Sequence, residues 1–250
     1  MLKMEQYKTV PLRYACFTLC LCGFVTPAIS QPARVRLDSS DWWSTLRQEE
    51  LPAREPRQPI KFQKREPAEA NFQIAGLRLG ATWDFKEIRS RFGEGTEVER
   101  GDAASGRNQI CYVDPSGDMY LVFELGEVDS ALYLFEDGPK WNRSELCAIS
   151  QTISPNISTT SGLRLGLAPQ EVKSVLGSPN VESSDKLAYY FDYKKKTPAE
   201  VLAKFRRENP TMGDAEFAKN FEYADGEAYI EARFVTGKLK YLAISRSETY

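Results

Sequence analysis

The sequence predicts an α+β fold: two tandem modules, each with short helices packed on an antiparallel sheet, after a signal peptide and a disordered tether. Three observations lead there. The block Gly76-Leu77-Arg78-Leu79-Gly80 recurs unchanged as Gly162-Leu163-Arg164-Leu165-Gly166. Each copy precedes a short stretch of helical periodicity that ends on glycine. Each is then followed by alternating strands joined by tight turns.

The helical stretches match closely. Glu87-Ile88-Arg89-Ser90-Arg91-Phe92-Gly93 recurs as Glu171-Val172-Lys173-Ser174-Val175-Leu176-Gly177, and only Arg91 against Val175 differs in kind. Pro169 sits near the start of the second helix, where a missing N–H is harmless. Gly177 and Pro179 end it. Phe85, Ile88 and Phe92 form the matching apolar face of the first.

Strands are expected at about 109–113, 119–125 and 128–136, with Asp114-Pro115-Ser116-Gly117 and Gly126-Glu127 as turns. In the second unit they are expected at about 187–193, 228–235 and 239–245. Leu121, Phe123 and Leu125 share one face, and Tyr120, Val122 and Glu124 the other. Ile230, Ala232 and Phe234 likewise oppose Tyr229, Glu231 and Arg233. An insertion, residues 194–226, should hold two short helices, about 197–208 and 214–221. The run Lys194-Lys195-Lys196 reads as a solvated loop before them.

The remaining segments give the organisation: 1–30 signal peptide, 31–70 flexible tether, 71–150 first module, 158–250 second module. Lys3, Lys8 and Arg13 precede an uncharged, mostly apolar run at 14–25, and Ala28 and Ser30 supply the small residues of a cleavage site before Gln31. That run is too short to span a bilayer comfortably. Nothing later is apolar enough, so no transmembrane segment is expected after signal removal. Cys20 and Cys22 do not suit lipid attachment, because Leu19 and Leu21 stand where a small residue is needed. The destination is periplasmic or secreted. In the tether, Pro32, Pro52, Pro56, Pro59 and Pro67 are scattered among charged residues. Its Trp42-Trp43 pair either docks on the folded body or serves as an exposed anchor.

Composition narrows function. The 250-residue chain has a net charge of −2, so bulk charge gives no pull toward nucleic acid. It contains no histidine, which excludes a Ser-His-Asp triad, a Cys-His pair and a histidine-based zinc site. No cofactor or metal is expected. After signal removal only Cys111 and Cys147 remain of five cysteines. In an exported protein they read as one structural disulfide, with two buried thiols as the alternative. The bridge would close a loop of about 37 residues, worth about 3–4 kcal/mol in the chain-entropy account.

The pattern Gly-Leu-x-Leu-Gly, then Glu-Val-Lys-Ser-Val-Leu-Gly-Ser-Pro, then strands joined by a tight turn, resembles the small outer-membrane assembly lipoproteins of the BamE (SmpA/OmlA) type. It is also similar to the β-lactamase inhibitor protein, built from two such units in tandem. The resemblance covers about 71–135 and 158–245. It implies two helix-plus-four-stranded-sheet modules forming one continuous concave sheet, and a partner that is another protein. The departures are the missing lipid-attachment cysteine, the linker and the insertion. No β-lactamase contact residue can be mapped.

The expected function is therefore that of an exported protein-binding module and not an enzyme. Its candidate binding residues are Tyr120, Tyr133, Phe135, Tyr229 and Tyr241, on the sheet face away from the helices, where exposed aromatics suit recognition. The other possibility for that face is cover by the tether or the other module. The alternatives are a cell-envelope assembly accessory factor using the same face and, less favoured, a hydrolase pairing Asp129 with Glu124 or Glu231.

Overall fold

The computed structural model describes residues 35–36, 61–80, 84–100, 107–126, 129–136 and 146–249, all within one compact unit, Pro32–Tyr250. The signal peptide and the Trp42-Trp43 pair lie outside the described residues. The fold is α+β. In chain order come β1 (Val35–Arg36), a 3-10 turn (Glu69–Phe72), β2 (Gln73–Ile74), β3 (Leu77–Arg78), α1 (Phe85–Phe92) and β4 (Glu97–Arg100). Then follow β5 (Arg107–Val113), β6 (Met119–Leu125), β7 (Asp129–Glu136), β8 (Ala148–Ile149) and α2 (Pro169–Leu176). The chain continues through β9 (Val181–Glu182), β10 (Lys186–Lys196), α3 (Ala199–Glu208), α4 (Asp214–Phe221), β11 (Tyr223–Val235) and β12 (Lys238–Thr249).

The main sheet has ten strands, in the order β1-β4-β5-β6-β7-β12-β11-β10-β9, with β8 pairing β5 beside that path. Its central seam is the antiparallel pair β7–β12, where Leu134 lies opposite Leu242. The strands β4 and β9 flanking each set of three were not located from the residues.

Helix ends follow from local chemistry. Asp84 accepts a 2.7 Å bond from Glu87 N–H at the start of α1. Glu171 reaches back to Ala168 N–H at 2.7 Å at the start of α2. Gly93 and Gly177 stop the helices at φ 94° and 83°, where a side chain would be strained. Each glycine carbonyl accepts from a buried tyrosine, Tyr112 at 2.8 Å and Tyr189 at 3.2 Å. Burial pushes both phenols up, Tyr189 to about 12.

One core lies between the helices and the sheet. Ile88, Phe92, Val172 and Leu176 from the helices meet Leu121, Phe123, Leu132, Leu134, Leu187, Ile230 and Leu242 from the strands. The repeated leucines Leu77, Leu79, Leu163 and Leu165 are buried in it. Burying one such side chain fully is worth roughly 1.5–3 kcal/mol. The expected inward parity of Leu121, Phe123, Ile230 and Phe234 is observed.

Two expectations are corrected. The lysine run belongs to β10: Lys194, Lys195 and Lys196 pair with Asp225, Ala224 and Tyr223. The inserted stretch thus shrinks to 197–222, with α3 and α4 where helices were expected. The tether boundary also moves. Residues 61–72 pack on the sheet, with Pro67 buried, Phe72 at 0 % exposure, and Gln63 bridged to Phe191 of β10. Average composition hid this, because specific partners for Phe62, Gln63, Glu66 and Glu69 lie far along the chain. Val35–Arg36, inside the same expected tether, pairs with β4.

Candidate binding face

On the sheet face away from α1 and α2, one row crosses the central seam. Val113, Tyr120, Phe135, Tyr241 and Arg233 lie opposite one another in turn. The Tyr120 and Phe135 rings stack at 5.5 Å, and Phe135 stands 6.4 Å from Tyr241. The Arg233 guanidinium lies 5.8 Å from the Tyr241 ring centre. Tyr133 occupies the next row, opposite Ala243, and Tyr229 the row beyond, opposite Ser245. The five expected residues therefore share one face.

Their exposure differs from expectation. Tyr120, Tyr133 and Phe135 are only 5 %, 8 % and 6 % exposed and belong to a second apolar cluster with Val113, Val122, Ala131 and Ala243. Alternation assigns a side chain to a face but does not say what covers that face. Tyr229 and Tyr241 remain half-buried, and Tyr190, which the sequence did not single out, joins them. Tyr190 and Tyr229 rings are 4.8 Å apart, and Phe62 meets Tyr190 edge-on at 5.9 Å. Beneath them Glu231, 5 % exposed, accepts from Tyr229 hydroxyl and from Arg233 Nε at 2.5 Å. Burial, then the Glu231 carboxylate, raises the Tyr190 phenol above its ordinary value.

The carboxylates weighed for hydrolysis lie on three strands, β6, β7 and β11. Glu124 is buried and accepts from Gln109 Nε2 at 2.5 Å. Asp129 sits on the neighbouring strand, out of register, since Glu124 faces Ala131. Glu231 is three strands from Glu124, about 14 Å at ordinary strand spacing. Asp192, Asp225 and Glu227 line a shallow depression of about 450 Å³ with Gly226, Ser247 and Thr249. Among the described residues no acidic or cysteine cluster could hold a metal ion.

No family model, curated protein or solved structure matches this chain.

Cys111 and Cys147 are disulfide-bonded, as expected, and pack against the second apolar cluster. Among the described residues no helix is long and apolar enough to cross a membrane.

The densest polar cluster was missed from sequence. Arg246, 2 % exposed, donates to Glu69 at 2.8 Å and to Tyr193 hydroxyl at 2.9 Å. It pairs with Glu248 at 2.7 Å and Glu66 at 3.5 Å. Lys195 lies 3.1 Å from Glu248. The guanidinium also lies 5.4 Å from the Phe72 ring centre. Tyr193 reaches it by lying over Gly226, where an added Cβ would come within 2.3 Å of the ring. The signal was present, because Arg246 continues the inward parity of Leu242 and Ile244. Burial disfavours the Arg246 charge, yet bonds to Glu69 and the surrounding negative groups outweigh it and raise its pKa.

These contacts set an acid limit on stability. Burial opposes ionisation of Glu69, but Arg246 and Arg78 outweigh it and hold the carboxyl below its ordinary 4.5. Burial likewise opposes ionisation of Asp114, but the Ser116 hydroxyl and the Met119, Asp118 and Ser116 amides hold it below 3.8. Lowered folded pKa values mean that the unfolded chain takes up protons first as pH falls. The contribution is present above pH 4.5 and is lost progressively below it. We expect Tm to fall from about pH 5 to pH 3 and the Glu69→Gln/Asp114→Asn variant to show a flatter fall from a lower plateau. Equal slopes for parent and variant in calorimetric scans would refute the assignment.

Proposed function

We propose that this chain is an exported protein-binding protein built from two tandem copies of one helix-plus-sheet module, of the kind its repeat resembles. The duplication reading is supported by the identical leucine blocks in one core and by the glycine-capped helices α1 and α2. The matched bonds from Tyr112 to Gly93 and Tyr189 to Gly177 support it further. Leu134 and Leu242, at equivalent places in the aligned repeats, face each other at the seam, as a local two-fold would require. The disulfide is compatible with an oxidising, exported destination.

The observation carrying the binding reading is the aromatic strip on the outer face, buried under the first half and half-exposed at Tyr190, Tyr229 and Tyr241 in the second. Half-buried tyrosines offer large area with little side-chain entropy to lose. The partner is another protein, and the partner-contacting part of the five-residue set narrows to Tyr229 and Tyr241. Tyr229→Ala/Tyr241→Ala should preserve most thermal stability while weakening partner affinity, by about 2 kcal/mol for each anchor. Tyr120→Ala/Phe135→Ala should instead lower Tm by well over 5 °C, because both rings are buried. The measurement is quantitative capture of exported proteins on immobilised parent and variants, with Tm taken alongside. Unchanged capture by the Tyr229/Tyr241 variant would sink the reading.

A further inference from the structure

We infer that the outer edge of β10, with Tyr190 beside it, is a docking site for an extended segment carrying an aromatic residue and, two places later, a basic one. Residues 61–65, Lys-Phe-Gln-Lys-Arg, are its intramolecular occupant. This surface adjoins the Tyr229/Tyr241 strip at Tyr190, whose ring lies 4.8 Å from that of Tyr229.

The occupant shows what the edge accepts. Gln63 N–H donates to Tyr190 carbonyl at 2.8 Å, and Asp192 N–H donates to Gln63 carbonyl at 3.1 Å, a parallel bridge. Phe62 and Lys64 fall on one side of the segment, where Phe62 meets the Tyr190 ring and Lys64 pairs with Asp192. On the other side Gln63 Nε2 donates to Ser178 carbonyl at 3.1 Å and Asn180 Oδ1 at 3.0 Å, and Arg65 covers Phe191 at 5.1 Å. Main-chain bonds hold the strand, and alternate side chains select it, which is strand addition.

One residue makes the strand bridge, Asn180 Nδ2 and Arg65 add bonds to the Lys61 and Leu176 carbonyls, and the Lys61, Lys64 and Arg65 side chains stay exposed. The ladder ends at Gln63, before Pro67, which has no N–H to offer. Among the described residues no strand pairs with the outer edge of β10 beyond Asp192, at Lys194 and Lys196. A partner strand that stays extended beyond the position of Gln63 gains bridges that the chain's own segment does not make. The intramolecular segment competes through its high effective concentration.

The probe is an acetylated, fluorescein-labelled peptide of residues 61–66, Lys-Phe-Gln-Lys-Arg-Glu, titrated against the full chain. Gln63→Pro removes the donor to Tyr190 and vacates the edge. We expect it to bind the peptide at least tenfold more tightly than the parent, and a peptide carrying Phe62→Ala and Lys64→Ala not to bind. Should Gln63→Pro fail to fold, Phe62→Ala/Lys64→Ala in the protein weakens the occupant without touching its backbone and should also bind more tightly than the parent. A folded variant that binds no better than the parent overturns the inference. So does a variant that dimerises without peptide, since the edge then takes a second copy. Val235→Ala, exposed at the end of β11 and off this edge, should leave peptide affinity unchanged, and partner capture by Tyr229→Ala/Tyr241→Ala tests the face reading separately.

Discussion

Arg246→Met is expected to destabilise the protein by about 3–5 kcal/mol, the usual cost of removing one partner from a buried charge cluster. The guanidinium is the shared donor for Glu69, Tyr193, Glu248 and Glu66. Without it, carboxylates from the incoming segment and from β12 are left facing one another with only Lys195, and Arg78 at Glu69, as counter-charges. Arg246→Lys should recover only part of the loss, because an ammonium is a compact charge and lacks the planar fork that reaches several acceptors at once. Urea unfolding at neutral pH measures both. A loss under about 1 kcal/mol for Arg246→Met would mean that the cluster is neutral to folding, as some buried ion pairs are. Amide exchange should rise first at residues 66–72, which this cluster ties to β12.

Replacing both bridge cysteines, as Cys111→Ala/Cys147→Ala, should cost about 3–4 kcal/mol by the loop-entropy argument. The link closes a separation of 36 residues. It acts beside a short strand: β8 follows at once, pairing its two residues with Tyr112 and Val113, and Ser150 N–H bonds Val113 carbonyl at 2.9 Å. The bridge therefore pins the stretch leading from β7 to α2 back onto β5. Alanine avoids burying new hydroxyls beside Val122 and Tyr133. Non-reducing peptide mapping of the parent should show one linked pair, and chemical denaturation should show the loss. Two free thiols in exported material, or a loss below about 1 kcal/mol, would remove the bridge from the stabilising contacts.

The elements that local rules govern were legible. Helices α1 and α2 follow from apolar spacing, Pro169 and the glycine stops, and the β6–β7 hairpin follows from alternation about Gly126. The sorting of Phe123 and Tyr120 to opposite faces follows from the two-residue period alone. What stayed hidden depends on distant partners. Nothing near Glu69 announces Arg246, 177 positions away, and nothing near Gln63 announces Tyr190. The lysine run looked like a loop because its charges outweigh its strand signal, yet pairing with residues 223–225 holds it extended. For the binding face, Tyr120, Tyr133 and Phe135 were correctly gathered on one side, but their burial depends on contacts that parity does not encode.

The position of β12 has a consequence for how the molecule is assembled. It is the last described strand to emerge, yet it occupies the middle of the sheet between β7 and β11. The meander from β4 to β7 can form as soon as it is made, but its inner edge at residues 129–135 then waits, with apolar side chains and unpaired amides facing outward. During that interval the edge can pair with another chain. The seam also joins residues 108 positions apart, Leu134 and Leu242, so a costly closure comes late. Maturation should therefore be slow and concentration-sensitive until the final hairpin arrives, and a chain cut short before β12 should aggregate and not settle into a stable half.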